Sequence, residues 1–316
     1  MNSDVKKFLL KTLVFLLPLA LVFGYFEVRL RAMETTYSTK KRDFTQQMDS
    51  VEILVLGSSH ALYGIDPSQF SLRSYNLSNS SQTLYYDEKL AEKYLDNMPL
   101  LKAMIIPVSY FSLWYELEDT KDAWRVYFYK HFWGIESPGM QTFDSENFSY
   151  IMMYSPEIAW FYARRGFQDT NVTGSVRPNG WIAATGHEVD QLTDSLAKVR
   201  VGSHDRVHFE NRLPQNIRNL ENFIQLLKKR NIEPVFITTP VSELYAKFAR
   251  PQVVLKNEAI MKELSKKHNC QYFNYFRDAR FTLEDFNDND HLNPRGAVKF
   301  SRILNEEAIL KRKLWN

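Results

Sequence analysis

The sequence predicts an α/β protein: a three-layer sandwich around a central, mostly parallel sheet, with an N-terminal transmembrane helix and an aromatic-rich insertion. Three observations carry that expectation. Short β-branched and leucine-rich runs at 51–56, 103–108 and 234–240 read as strands buried on both faces, the habit of parallel sheets. Apolar residues at helical spacing fill the stretches between strands, as βαβ units require. A chain of 316 residues also has ample length for a large core. The boundaries follow as a tail at 1–7, an anchor at 8–28, a linker at 29–48 and an α/β domain at 49–316, interrupted by an insertion at about 110–212.

Taken in order, the run from Phe8 to Phe26 is almost wholly apolar, broken by Lys11 and Pro18. At 1.5 Å per residue it spans about 28 Å, close to a bilayer's hydrocarbon core. Lys11 lies near one end, where its stem reaches the interface. Lys6 and Lys7 favour a cytoplasmic N-terminus, although Arg29, Arg31, Lys40, Lys41 and Arg42 follow on the other side. No small-x-small site closes the run, so an uncleaved anchor is expected over a signal peptide.

Val51–Leu56 ends in Gly57-Ser58-Ser59-His60, a strand that stops in a glycine and two hydroxyls. Tyr75 begins a second short strand opening into a hydroxyl-rich loop through Ser81. Residues 83–97 carry Leu84, Leu90, Ala91 and Leu95 at helical spacing, ahead of Pro99 and the third strand, 103–108. From 110 to 212 aromatics crowd the chain, among them Trp114, Trp124, Trp133 and Trp160. Residues 148–165 read as helix and 166–212 as loops, with a turn at Arg177-Pro178-Asn179-Gly180. Either this insertion packs its own subcore, or some rings sit at a membrane interface or line a substrate groove. The α/β rhythm resumes with a helix at 216–230, the strand 234–240, helices around 242–248 and 252–267, and a strand at 271–275. The loop Asp288–His291 then leads into a final helix.

Composition narrows the function classes. A net charge of +3 and no long basic stripe argue against nucleic-acid binding. Cys270 is the single cysteine, so the chain forms no internal disulfide and holds no multi-cysteine metal site; a buried, inert thiol is expected. Asp285, Asp288 and Asp290 lack the central glycine of a calcium loop. His131, His187, His204, His208 and His268 form no ligand-spaced pair and read as surface or core residues. No metal or cofactor is therefore expected.

The residues that carry chemistry lie near opposite ends of the α/β domain. A serine at the C-terminal end of a strand stands where α/β sheets gather ligands, but its hydroxyl needs a base. Ser59 is the candidate nucleophile, Ser58 its rival, and His291 the candidate base, with Asp288 three residues earlier to hold the imidazole. His60 is a lesser candidate base, because neighbours on a strand point to opposite faces. Each residue also has a plainer role: a Gly-Ser-Ser turn that ends a strand, a histidine packed under the sheet, an aspartate capping the last helix.

Together these residues resemble the SGNH (GDSL-like) hydrolase superfamily. Gly57-Ser58-Ser59-His60 is similar to its first block and Asp288-x-x-His291 to its last. Asn76 to Ser81 occupies the second block, with Ser81 where a glycine normally gives an oxyanion N–H. Val108-Ser109-Tyr110 stands at the third block, whose asparagine is absent or replaced by Ser109. The resemblance thus implies catalytic Ser59, Asp288 and His291, with oxyanion donors at Ser59, Ser81 and Ser109. With the anchor and the Asp-x-x-His-Leu-Asn-x-x-Gly end, the chain looks like the membrane-anchored DltD-type and alginate-acetylation-type group. That likeness implies an extracytoplasmic serine acyltransferase or esterase of the cytoplasmic membrane. It would move acyl groups, acetyl first, on a cell-envelope polysaccharide or polyol polymer, beside a membrane-bound O-acyltransferase partner. The alternatives are a non-catalytic, membrane-tethered polymer-binding or assembly protein of the same fold, and a secreted carbohydrate esterase.

Overall fold

The computed structural model describes residues 3–154, 156–168, 175–184 and 192–311. Its strands are β1 (Ile53–Val55), β2 (Ser74–Asn76), β3 (Ala103–Pro107), β4 (Glu233–Thr238) and β5 (Gln271–Asn274). Its principal helices are α1 (Ser3–Ala32), α2 (Thr36–Thr45), α3 (Ser59–Gly64), α4 (Leu84–Tyr94), α5 (Tyr150–Tyr154), α6 (Pro156–Arg164), α7 (Asp194–Asp205), α8 (Leu213–Lys229), α9 (Glu243–Phe248), α10 (Pro251–His268) and α11 (Pro294–Leu304). The chain divides into two units, Met1–Thr35 with Val126–Asn171, and Thr36–Arg125 with Val172–Asn316.

The larger unit is built on one parallel sheet in the order β2-β1-β3-β4-β5. β1 to β3 are buried throughout, which is why β1 and β3 read as continuous apolar runs. One face of the sheet packs Ile53, Val55, Ile105, Val235 and Ile237 against Ala61 of α3, Ile65 just beyond it, and Phe300 and Leu304 of α11. Helix α8 packs on β4 and α4, burying Leu220, Phe223, Ile224 and Leu227 along one stripe. The chain leaves β1 for β2 on one side and then crosses to β3 on the other. β1 and β3 therefore flank a topological switch point, where open α/β sheets make their clefts.

Several expectations need correction. Residues 29–48 are not a linker: α1 runs on to Ala32, and α2 buries Tyr37, Lys40 and Phe44. Lys40 Nζ donates to the carbonyls of Asn76 and Ser78, so its amino group is used inside the fold, where burial holds its pKa well below the usual lysine value, a role hidden by a polar local sequence. The α/β unit accordingly begins at Thr36 rather than near 49. The insertion at 110–212 also separates differently, because only 126–171 leaves the α/β unit. The expected helix 148–165 is two helices, α5 and α6. Loops expected at 166–212 include α7, capped by the Thr193 side chain accepting the Leu196 N–H. Its buried stripe is only Ala197 and Val201, too narrow to register as a helical period.

The smaller unit joins α1 to residues 126–171, and α1 packs on α5 and α6. Most side chains of α1 from Phe8 to Val22 are exposed, and the helix is long and apolar enough to cross a membrane.

Candidate active site

Gly57 makes the turn that delivers Ser59. Its φ of +107° is costly for any residue with a Cβ, and a Cβ there would stand 3.0 Å from the ring of Pro107 on β3. The turn is held by Asp87, buried at 1% exposure, which accepts the Gly57 N–H at 2.9 Å. Burial pushes the Asp87 carboxyl up to about 7, against the hydrogen bonds from Gln82 and Gly57. Ser59 is the first residue of α3, so its N–H is among those a helix leaves without an intrahelical acceptor.

His291 arrives from the far end of the chain by helix packing. Helix α11 lies against α3, opened by the Asn293 side chain accepting the Gly296 N–H, with Pro294 in the first turn. Gly296 lets the loop close, since a Cβ there would lie 2.0 Å from the Asp285 carbonyl oxygen. Tyr63 meets the His291 ring edge to face, centroids 5.3 Å apart.

The three candidate residues meet. Ser59 Oγ lies 2.8 Å from His291 Nε2, and His291 Nδ1 lies 2.9 Å from Asp288 Oδ2. With Nδ1–H donating to the Asp288 carboxylate, Nε2 is left as the acceptor for the serine proton. Asp288 Oδ1 also accepts the backbone N–H groups of Asp290 and His291, at 3.0 and 2.9 Å. Burial works against a charged His291, but the carboxylates of Asp288 and Asp290 outweigh it and raise its pKa above the ordinary histidine value. Ser58, the rival, has a buried hydroxyl with no hydrogen-bond partner among the described residues.

The expected oxyanion donors separate. Ser81 adopts φ +58°, the left-handed conformation a glycine would take without strain, and its hydroxyl donates to Asp122 Oδ2 at 2.8 Å. Ser109 sits elsewhere: its hydroxyl is 2.9 Å from His60 Nδ1 and its N–H donates to Ser112 Oγ. Both polar groups of Ser109 are thus engaged, and it does not line the cavity beside Ser59. Asn79, two residues before Ser81, donates its N–H to the Gly57 carbonyl at 3.1 Å. Its side-chain amide is buried with neither end paired among the described residues.

A second charged cluster backs the first, and nothing in the local sequence announced it. Asp290, fully buried, accepts from Arg200 Nε at 2.7 Å and from His60 Nε2 at 2.9 Å. It lies 3.9 Å from both His291 Nδ1 and His204 Nε2. His204 Nδ1 in turn meets the Tyr245 hydroxyl at 2.7 Å. Burial outweighs the nearby carboxylate for His60 and His204, lowering both pKa values and favouring the neutral rings. Burial opposes the Asp290 charge, but Arg200 and the histidines hold that carboxyl well below its usual range. Neutral His60, donating through Nε2, accepts the Ser109 hydroxyl at Nδ1. His60 is therefore not a base on Ser59, and the reason differs from the one expected: it lies on the first turn of α3, not on a strand. His204, expected as surface or core, borders the cavity, and His187 lies outside the described residues.

His60, Asp290 and His291 place possible metal-ligating atoms within 4.8 Å of one another. Each already has a protein partner, and the Arg200 cation on Asp290 opposes a second cation there. The cavity beside Ser59 has a volume of about 300 Å³ and is lined by Ser58, Ser59, Ser81, Phe111, Tyr115 and Arg200, among others. Cys270 is buried, and burial raises its thiol to about 11, as an inert cysteine requires.

No family model matches the chain, and no curated protein matches it. Among solved structures, the chain is similar to a candidate acylhydrolase from Bacteroides fragilis NCTC 9343, with 11% identity and a TM-score of 0.42. The match covers 87% of this chain and 97% of that one.

Proposed function

We propose that this protein is an SGNH-type serine esterase or acyltransferase, held in the cytoplasmic membrane by α1 with its α/β unit outside. The observation that carries this reading is the continuous set of contacts Ser59–His291–Asp288, with Ser59 lining the cavity. Ser59 Oγ attacks an acyl carbonyl while His291 Nε2 takes its proton. Asp288 holds the imidazole and offsets the charge it gains. The carbonyl π electrons become an oxyanion, received by the N–H groups of Ser59 and Ser81; the unpaired amide of Asn79 supplies the side-chain donor that Ser109 does not. Collapse expels the leaving alcohol, which takes the proton from His291. The acyl-serine then passes its acyl group to a second hydroxyl or to water.

Acetyl is the acyl group and a cell-envelope polysaccharide or polyol the acceptor in this reading, in the DltD-type and alginate-acetylation-type manner, with a membrane-bound O-acyltransferase supplying the donor. An uncleaved anchor is supported by the C-terminal end of α1. Glu27 accepts the Tyr150 and Ile151 N–H groups at 3.0 and 3.2 Å, so this end is part of a folded unit. The test is a serine-reactive phosphonate with intact-mass analysis. One adduct at Ser59 is expected, absent in Ser59→Ala and reduced in His291→Ala. A folded protein that takes no adduct would leave the non-catalytic, polymer-binding reading in its place.

A further inference from the structure

The aromatic insertion at about 110–212 has two readings in the sequence, and the contacts of its residues 148–167 with α1 favour one. Helix α1 has 30 residues, about 45 Å, against a hydrocarbon core of about 30 Å. With Phe8 to Phe26 in the core, Phe26 marks its boundary and Glu27 to Ala32 stand among the headgroups. The segment is fastened at that level. The Glu27 carboxylate accepts the Tyr150 and Ile151 N–H groups and, at 3.0 Å, the Ser149 hydroxyl. Arg31 donates to the Phe148 carbonyl and lies over the Tyr150 ring. Trp160 stacks on Phe26, with centroids 6.3 Å apart and planes 18° from parallel. Phe167 meets both Tyr25 and Phe26, with Arg29 over its face.

Part of this aromatic set remains exposed. α6 buries Ala159 and Tyr162, while Trp160, Phe161 and Arg164 share the outer face with Glu157. Trp160 is 54% exposed and Phe161 41%, and beside them Phe148 and Met152 are 63% and 44% exposed. Arg164 lies over Trp160 and Arg165 over Phe161. Apolar rings beneath guanidinium groups, level with the end of an apolar helix, suit the bilayer interface, which takes the ring below and the charge above.

We infer that residues 148–167 form a collar around the exit of α1 whose Trp160–Phe161 face inserts into the lipid interface. The occupant of this apolar face is the bilayer itself, continuous with the surface α1 already offers it. The inference rests on α1 being an uncleaved span and is independent of which side the α/β unit faces. Its consequence is mechanical: the anchor leaves the membrane as a braced helix rather than as a free tether.

The test uses the full chain in phosphatidylcholine–phosphatidylglycerol vesicles with brominated acyl chains, read by tryptophan fluorescence. All variants carry Trp124→Phe and Trp315→Phe; of the tryptophans that remain, Trp114, Trp133 and Trp181 are buried, so Trp160 is expected to dominate quenching by lipid. Bromine near the headgroup end should quench more than bromine at the bilayer centre, and Trp160→Phe should remove the larger part of that quenching. In Phe15→Trp with Trp160→Phe, the order should reverse, with the central bromine quenching more. If Phe15→Trp is not quenched, α1 does not span and the anchor reading fails. If it is quenched while Trp160→Phe leaves the shallow quenching unchanged, the anchor stands and the collar is overturned.

Discussion

Asp290→Asn tests the second carboxylate at the site. At the 3.9 Å between His291 Nδ1 and Asp290 Oδ1, two unit charges interact by about 4 kcal/mol at an effective permittivity of about 20. Arg200 Nε lies 2.7 Å from the same oxygen and cancels part of that field. If about half survives, Asp290 stabilises the imidazolium formed during acyl transfer by about 2 kcal/mol, or about 30-fold in kcat/KM. The pH profile carries the more specific signature. Both Asp288 and Asp290 raise the His291 pKa, so neutralising Asp290 lowers it and moves the acid limb of kcat/KM to lower pH.

Arg200→Gln acts with the opposite sign. Arg200 holds the His291 pKa down, so its loss moves the limb to higher pH. The groups around this pair are Asp288 on the same loop, His60 on α3, Arg200 and His204 on α7, and Tyr245 on α9. Burial disfavours a cation on either histidine. The assay is ester hydrolysis across the histidine range, with a melting curve for each variant, because breaking a buried ion pair costs about 3–5 kcal/mol of stability. Two limbs that stay in place, or that move in the same direction, would refute the electrostatic account; lost stability alone would not produce opposed shifts.

Three further outcomes follow from buried groups. Asn79→Ala should lower kcat by about 100-fold with KM little changed if its amide serves the oxyanion; an unchanged kcat removes it from that role. Lys40→Met should cost about 2 kcal/mol in denaturant unfolding, because the Asn76 and Ser78 carbonyls lose their buried donor; a cost near zero would mean water replaces the amine. Asp87 has its carboxyl raised to about 7, so its contribution to stability is fully present below the unfolded value near 4 and is lost as pH rises to about 7. The buried histidines His60 and His204 act in the opposite sense below the unfolded histidine value, so the Asp87 share, on the order of 4 kcal/mol, is read as the difference in pH slope between wild type and variant, with Glu116, also raised to about 7 by burial, left common to both. Asp87→Asn should flatten the curve in part, and an unaltered slope would contradict the assignment.

What was legible along the chain was whatever is written locally. β1 and β3 are buried on both faces and so read as unbroken apolar runs, and α8 and α11 each bury one helical stripe. Gly57 was legible because a strand that stops in Gly-Ser-Ser is rare without a turn to make. Asp288 and His291 could be paired because three residues in one loop suffice for a hydrogen bond between them.

Convergence of distant segments was not written there. Lys40 lies in a polar helix that resembles a linker, and only the fold shows that its amino group is held by two carbonyls. Arg200 and His204 sit on α7, whose buried face is just two residues wide. Asp290 looked like a cap for α11 until His60, His204 and Arg200, from two other helices, were seen to surround it. Ser109 stood where an oxyanion donor was expected, yet its hydroxyl is turned to His60. A local pattern records which groups a chain must bury; which buried charges come to share one carboxylate depends on helices packing side by side, and only the tertiary structure decides that.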